Sequence, residues 1–333
     1  MLKIAYLGAG SWGFCLATIL ARKGHHVTLW SINEPLLKRL KAKKDHPRFP
    51  GISLEPTLHF TQDLAEALNE ADLIVESVTS SGLESVVKKV KAIETPQVPF
   101  VITSKGIEKE KGVILPELAI EILGESCRPL IGCISGPGYA QEVISGMPTS
   151  LVASGYKYEV IQQICQAFNT TNFRVYPNRD LKGVSFGGAL KNVIAIACGI
   201  AEGLDLGWSA KAALITRGLH EIRKITLEEG CSVETIYGLS GLGDLYLTCA
   251  SPLSRNFRFG KLLAEGLKPE EAEKKIGMVV EGKYAASSCL KIARKKGIPM
   301  PITEGIYRIV YENFPINNIV TFLMSREIKE EHL

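Results

Sequence analysis

The chain has 333 residues, with 39 Lys and Arg against 35 Asp and Glu, a formal net charge of +4. So small and dispersed an excess argues against a nucleic-acid binder but is compatible with an anionic small molecule. A content of 46% AVILMFWYC with 22% charged residues excludes a disordered, collagenous or coiled-coil chain. At about 150 residues per domain, the length predicts two domains. The 8 cysteines form no CxxC pair, and no cluster of His, Cys and carboxylates has metal-ligand spacing. Buried free thiols in a reducing cytosol, and no metal, are therefore expected.

Residues 4–21 carry no charge and follow Lys3. A signal peptide or a membrane span can look the same. Glycines at 8, 10 and 13 interrupt this run, only one lysine precedes it, and it starts almost at Met1. These features favour a buried strand opening a cytoplasmic domain that is not embedded in a membrane. Short apolar runs then alternate with helical patterns. Strands are expected at Lys3–Leu7, His26–Trp30, Leu73–Ser77, Phe100–Thr103, Leu130–Ile134, Leu151–Ala153 and Phe173–Val175. Helices are expected at Trp12–Lys23, Pro35–Lys44, Asp63–Asn69, Leu83–Ala92 and Leu115–Leu123, with a loop at Pro47–Pro56. Such alternation predicts a mainly parallel sheet with helices on both faces. After about residue 180 the pattern turns helical: Leu181–Glu202, Ser209–Glu229, then stretches near 257–266, 269–276, 283–296, 301–313 and 316–326. The polar tail from Ser325 is expected to fray.

Gly8-Ala9-Gly10-Ser11-Trp12-Gly13 lies between the first expected strand and the first expected helix, the context in which GxGxxG reads as a dinucleotide site. Gly8 permits the tight turn, Gly10 lets the backbone approach a pyrophosphate, and Gly13 lets the helix pack closely on the strand. The helix N-terminus offers free N–H groups to the diphosphate. The fold class is thus α/β: an N-terminal Rossmann-type, mainly parallel sheet with a C-terminal all-α domain. Residues 1–180 are the dinucleotide-binding domain and 181–333 the helical substrate and catalytic domain. The cofactor is NAD or NADP. The second strand ends Trp30-Ser31-Ile32-Asn33, with neither the acidic residue that usually selects NAD nor an Arg for a 2′-phosphate. Lys38 and Arg39 are the nearest cations, and weak discrimination is predicted.

For the chemistry, none of the 6 histidines stands in a catalytic pattern. Lys191 lies in Gly187-Gly188-Ala189-Leu190-Lys191-Asn192-Val193, an apolar helical setting. Its amine either snorkels to the surface or is desolvated, with a depressed pKa, to exchange a proton with a secondary alcohol. Asn192 would orient a hydroxyl. Lys105 follows a strand, where α/β sites are built. In Gly238–Thr248, Asp244 and Thr248 share a face if that segment is helical. Arg255 carries a planar fork suited to phosphate or carboxylate, although composition alone reads it as a surface arginine.

GAGSWG at 8–13, SKGIE at 104–108, SGPGYAQEV at 135–143, GGALKNVIAIACGIAEGL at 187–204, GLSGLGDLYLTC at 238–249, SRN at 254–256 and VEG at 280–282 occur in one order along nearly the whole chain. Together they resemble the bacterial-type NAD(P)-dependent glycerol-3-phosphate dehydrogenases. The resemblance implies interconversion of sn-glycerol 3-phosphate and dihydroxyacetone phosphate, supplying phospholipid synthesis. It implies Lys191 as proton acceptor, with Lys105, Asn192, Asp244 and Thr248 around the reacting alcohol and Gly136 along the substrate. Ser254, Arg255 and Asn256 would hold the substrate phosphate. Gly8, Gly10, Ser11, Trp12, Gly13, Lys105, Ala140, Arg255, Val279 and Glu281 would line the cofactor site. It also implies a cytoplasmic protein, often a homodimer, whose partner is a small phosphorylated triose or glycerol.

Two positions depart from the family pattern. Ile32 stands where an Arg or His is usual, and Gly138 stands where SGPSFA would place a hydroxyl. Two other readings are a related dehydrogenase acting on a hydroxy acid or sugar acid, with Arg255 meeting a carboxylate, and a nucleotide-sensing regulator. The Lys191-Asn192 pair argues against the sensor, which needs no proton acceptor.

Overall fold

The structure, a computed structural model, describes residues 1–42, 44–328 and 330–331. The expected helix Pro35–Lys44 includes Lys43, and the expected polar tail includes Lys329, His332 and Leu333; these four residues lie outside the described ones. The chain forms two compact units. One comprises Met1–Lys105 with Leu115–Leu181, the other Gly106–Ile114 with Lys182–Leu333. The sequence boundary at 180 made no provision for the excursion Gly106–Ile114.

The first unit is built on eight strands: β1 (Lys3–Leu7), β2 (His26–Trp30), β3 (Leu58–Thr61), β4 (Leu73–Glu76), β5 (Phe100–Ile102), β6 (Ile131–Ser135), β7 (Thr149–Gly155) and β8 (Phe173–Asn178). Their order is β3-β2-β1-β4-β5-β6-β7-β8, and the pairs are parallel except β6 with β7. The order reverses between β1 and β4, so the carboxyl ends of these two strands flank the switch point where α/β sheets bind ligands. β3 was not expected from the sequence. It has only four residues with one exposed histidine, His59, too short to show an alternation.

Helix α1 (Ser11–Arg22) follows the glycine turn, and every residue from Gly13 to Ala21 is buried. Phe14, Leu16, Leu20, Val27, Leu29, Val75, Val101, Ile164 and Phe168 form the centre of the core. The uncharged run at 4–21 is therefore a strand, a turn and a core helix. All eight cysteines are free thiols, and all but Cys165 are buried.

In the second unit the helix Leu181–Gly203 is long and apolar enough to cross a bilayer, but its apolar window is 94% buried. Its glycines permit close packing. A Cβ at Gly199 would lie 2.0 Å from the Phe257 carbonyl oxygen, and one at Gly260 would lie 2.1 Å from that of Ile196. Val233–Tyr237, a π turn at Leu239–Gly243 and the helix Asp244–Ala250 follow Gly207–Glu228.

Glu221, on the helix Gly207–Glu228, is 3% exposed and caps the helix Pro301–Tyr311. It accepts from the Ile302 amide at 2.6 Å, the Thr303 amide at 3.1 Å and the Thr303 hydroxyl at 2.8 Å. Burial outweighs these bonds and raises its pKa from 4.5 to about 7. The folded state thus holds a proton that the unfolded chain has lost. Stability is greatest below the unfolded pKa and falls as pH rises through the folded one, by about 3 kcal/mol for a shift of this size. Glu221→Gln should shrink the fall in Tm between about pH 5 and pH 8. A fall as steep as in the unmodified chain would show that this carboxyl does not titrate there.

Candidate active site

The glycine turn has the geometry its sequence requires. Gly8 has φ +116°, and a Cβ there would lie 2.6 Å from the Ser77 carbonyl oxygen. A Cβ at Gly13 would lie 2.1 Å from the Gly8 carbonyl oxygen, so α1 starts directly on the turn. At Gly10 a Cβ would meet no atom of the described residues within 4 Å. Gly10 is the N-cap of α1, makes no side-chain cap bond, and no acidic residue occupies the first turn. An open backbone surface with uncapped N–H groups and no competing carboxylate fits a diphosphate. Ser11 and Trp12 open the helix, both half-buried.

Sequence reasoning missed the support beneath this turn. His46 Nε2 lies 3.2 Å from the Ala9 carbonyl oxygen, and its ring stacks on Phe14 with centroids 4.6 Å apart. Burial lowers the His46 pKa, favouring a neutral imidazole that can donate to that carbonyl. The only sequence signal was an aromatic-rich loop, HPRF, after a basic helix.

At the end of β2, Ser31 is buried, and its hydroxyl accepts from the Asn33 amide at 3.1 Å. Asn33 caps the helix Glu34–Lys41 by accepting from the Leu36 amide at 3.0 Å. Lys38 pairs with Glu34, and Arg39 with Asp45. Ile32 is 77% exposed. The two cations that could have met a 2′-phosphate are thus engaged with carboxylates, and the exposed side chain at the strand end is apolar.

Lys105, after β5, donates to the Gly136 carbonyl at 2.9 Å, so the structure brings these two expected site residues together. Gly136 has φ +130°, and a Cβ there would lie 3.2 Å from the Leu151 Cα. Ala140 begins the short helix Ala140–Ile144. At Gly138 a Cβ would come 3.3 Å from the Trp12 ring, so the missing side chain leaves room for that indole.

The second unit holds the other group. Lys191 is 7% exposed, Asp244 1% and Thr248 6%. Lys191 Nζ forms an ion pair with Asp244 and donates to the Thr248 hydroxyl at 2.8 Å. That hydroxyl donates to the Asp244 carbonyl at 2.6 Å, a contact set by their i,i+4 spacing. The π turn widens the backbone just before Asp244 and aims the start of its helix. The snorkelling alternative is ruled out for Lys191, because its amine is buried. The surroundings also differ from a purely apolar wall. Lys191 instead rests in an ion pair with the Asp244 carboxylate.

Asn192, 6% exposed, accepts from Asn256 Nδ2 at 2.8 Å, and Asn256 Oδ1 accepts from the Gly282 amide at 2.9 Å. Asn256 therefore ties the helix bearing Lys191 to the start of Glu281–Lys296. Ser254 caps the helix Arg255–Ala264, its hydroxyl accepting from the Phe257 amide at 3.3 Å. Arg255 is half-buried and donates to the Val279 carbonyl at 3.2 Å, so it is not the free surface arginine of the compositional reading. Glu281 begins the helix Glu281–Lys296 two residues after Val279.

Family models of the NAD-dependent glycerol-3-phosphate dehydrogenase N-terminus and C-terminus match residues 3–161 and 180–321. The chain is 56% identical over 333 residues to the glycerol-3-phosphate dehydrogenase [NAD(P)+] of Protochlamydia amoebophila, covering 100% of both chains. It is 53% identical to that of Chlamydia pneumoniae, covering 99% of each. The fold is similar to the crystal structure of glycerol-3-phosphate dehydrogenase from Coxiella burnetii, with a TM-score of 0.91, 36% identity and coverage of 98% and 99%.

Proposed function

The chain belongs to the NAD(P)-dependent glycerol-3-phosphate dehydrogenase family, and from that premise we propose how its own residues carry out the reaction. It interconverts sn-glycerol 3-phosphate and dihydroxyacetone phosphate and supplies the former for phospholipid synthesis. The observation that carries the mechanism is the buried Lys191–Asp244–Thr248 group.

In the reducing direction Lys191 Nζ gives a proton to the ketone oxygen; in reverse it accepts the proton of the alcohol. Asp244 and Thr248 hold the amine in one orientation. Asn192, fixed by Asn256, positions the reacting hydroxyl. Lys105, held on the Gly136 carbonyl in the first unit, is the other cation this reading assigns to substrate binding. The substrate phosphate meets the Arg255 guanidinium, with Ser254 and the first amides of Arg255–Ala264, a combination of fork and helix N-terminus suited to an anion. The glycine turn and α1 hold the diphosphate of NAD or NADP. When bound, that cofactor supplies or accepts the hydride. Every step is metal-free. The reading also includes a cytoplasmic homodimer.

Dihydroxyacetone phosphate should be reduced with NADH, while 2-oxo acids of similar size should not. Reduction of the acids alone would favour the hydroxy-acid reading. The β2 end gives a further expected result. Ile32→Arg should raise the preference for NADPH over NADH about 10- to 100-fold, the value of one charge-assisted phosphate contact. Steady-state kcat/KM for both cofactors checks this, and an unchanged ratio would remove Ile32 from the account.

A further inference from the structure

A carboxylic acid at the end of a strand buried on both faces is out of place. Glu76 closes β4 and is 0% exposed. An apolar side chain would avoid the cost of burying the group. What it gains is a set of donors from two turns. Its Oε1 accepts from the Val78 amide, two residues on, and from the Ser104 hydroxyl at 2.7 Å. The Ser104 amide is also aimed at the carboxyl. The other oxygen, Oε2, is buried without a hydrogen-bond partner among the described residues. The Ser104 hydroxyl has one proton and two acceptors, Glu76 and the Val78 carbonyl at 2.5 Å. Behind this pair, Tyr6 meets the Ser77 hydroxyl at 2.7 Å, Ser77 meets Thr103, and Thr103 donates to the Glu76 carbonyl at 2.8 Å.

Both turns belong to the machinery described above. Ser77 and Val78 are the atoms against which Gly8 packs, at 2.6 and 3.1 Å from its notional Cβ. Ser104 precedes Lys105. We propose that Glu76 is a positioning residue that ties the turn after β4 to the turn after β5, fixing the floor of the glycine turn and the origin of the Lys105 side chain. The proposal rests on the dehydrogenase reading and adds a residue to it.

The clamp responds to pH. Burial raises the Glu76 pKa to about 7, against the opposing effect of its hydrogen bonds. Among the described residues, Tyr6 on β1 is the titratable side chain facing it, and burial holds that phenol protonated throughout. The turn after β5 presents the hydroxyls of Thr103 and Ser104. Below about pH 7 the carboxyl is neutral and its bonds are ordinary; above it they are charge-assisted and roughly twice as strong. NADH should therefore bind more tightly as pH rises through this range.

The test uses Glu76→Gln and Ser104→Ala, which nearly conserve volume, with Glu76→Ala as the severe variant. NADH dissociation constants are measured by fluorescence titration from about pH 6 to pH 8, and amide hydrogen exchange by mass spectrometry without cofactor. The unmodified chain should tighten at least about threefold across that range. Glu76→Gln should stay flat near the low-pH value, because an amide accepts but does not ionise. Glu76→Ala should speed exchange in segments covering Val78 and Ser104, with β2 and β8 unchanged. Parallel pH profiles in the unmodified chain and Glu76→Gln would overturn the proposal. So would exchange that quickens equally across the sheet, the mark of a general loss of stability. If the unmodified chain binds NADH but leaves dihydroxyacetone phosphate untouched, the dehydrogenase reading fails, and the binding series still judges Glu76.

Discussion

Lys191→Met should abolish turnover while leaving NADH and NADPH binding within about twofold, since the glycine turn and α1 hold the diphosphate without this side chain. Loss of a positioned acid or base costs about 10²- to 10⁴-fold in rate. Methionine replaces most of the lysine stem and none of its charge. The variant leaves Asp244 buried without its cation, a state that costs about 3–5 kcal/mol. A lower Tm is expected as well, and activity must be measured well below it. Lys191→Arg separates the two effects. It restores a cation beside Asp244, and with it stability, but a guanidinium does not give up its proton, so turnover stays low. Near-normal turnover in Lys191→Met would place the acid elsewhere.

Arg255→Ala should raise the KM for dihydroxyacetone phosphate by about 10- to 100-fold, the value of a charge-assisted contact of 1.5–3 kcal/mol. The effect should disappear with dihydroxyacetone, which has no phosphate, and that comparison distinguishes phosphate recognition from a general disturbance of the helix Arg255–Ala264. The guanidinium also donates to the Val279 carbonyl, so some loss of stability accompanies the change. Equal losses with both substrates would show that the phosphate is held by other groups.

The sequence showed the glycine turn completely, because Gly8, Gly10 and Gly13 sit at fixed spacing between a strand and a helix, and each spacing has one physical reason. The helical second half was also legible from its apolar periodicity. β3 was not, since the four residues Leu58–Thr61 are too few to carry a pattern. The setting of Lys191 was half legible. An amine in an apolar helix stood out, but its partner Asp244 lies 53 positions away, and such pairing follows from tertiary packing. Asn256 was expected at a phosphate, while its side chain is bonded to Asn192 and Gly282. Glu76 left a faint signal, one acid ending the run Leu73-Ile74-Val75, which carries meaning only once Val78 and Ser104 are seen to converge on it.

The most direct test of the central claim is isotope transfer. Dihydroxyacetone phosphate is incubated with NADH carrying deuterium at the transferred position of C4, and the glycerol 3-phosphate is analysed by mass spectrometry and NMR. One deuterium per product molecule is expected, at C2, with the hydroxyl proton drawn from solvent through Lys191. Product without deuterium at C2, or no product from a chain that binds NADH, would contradict it.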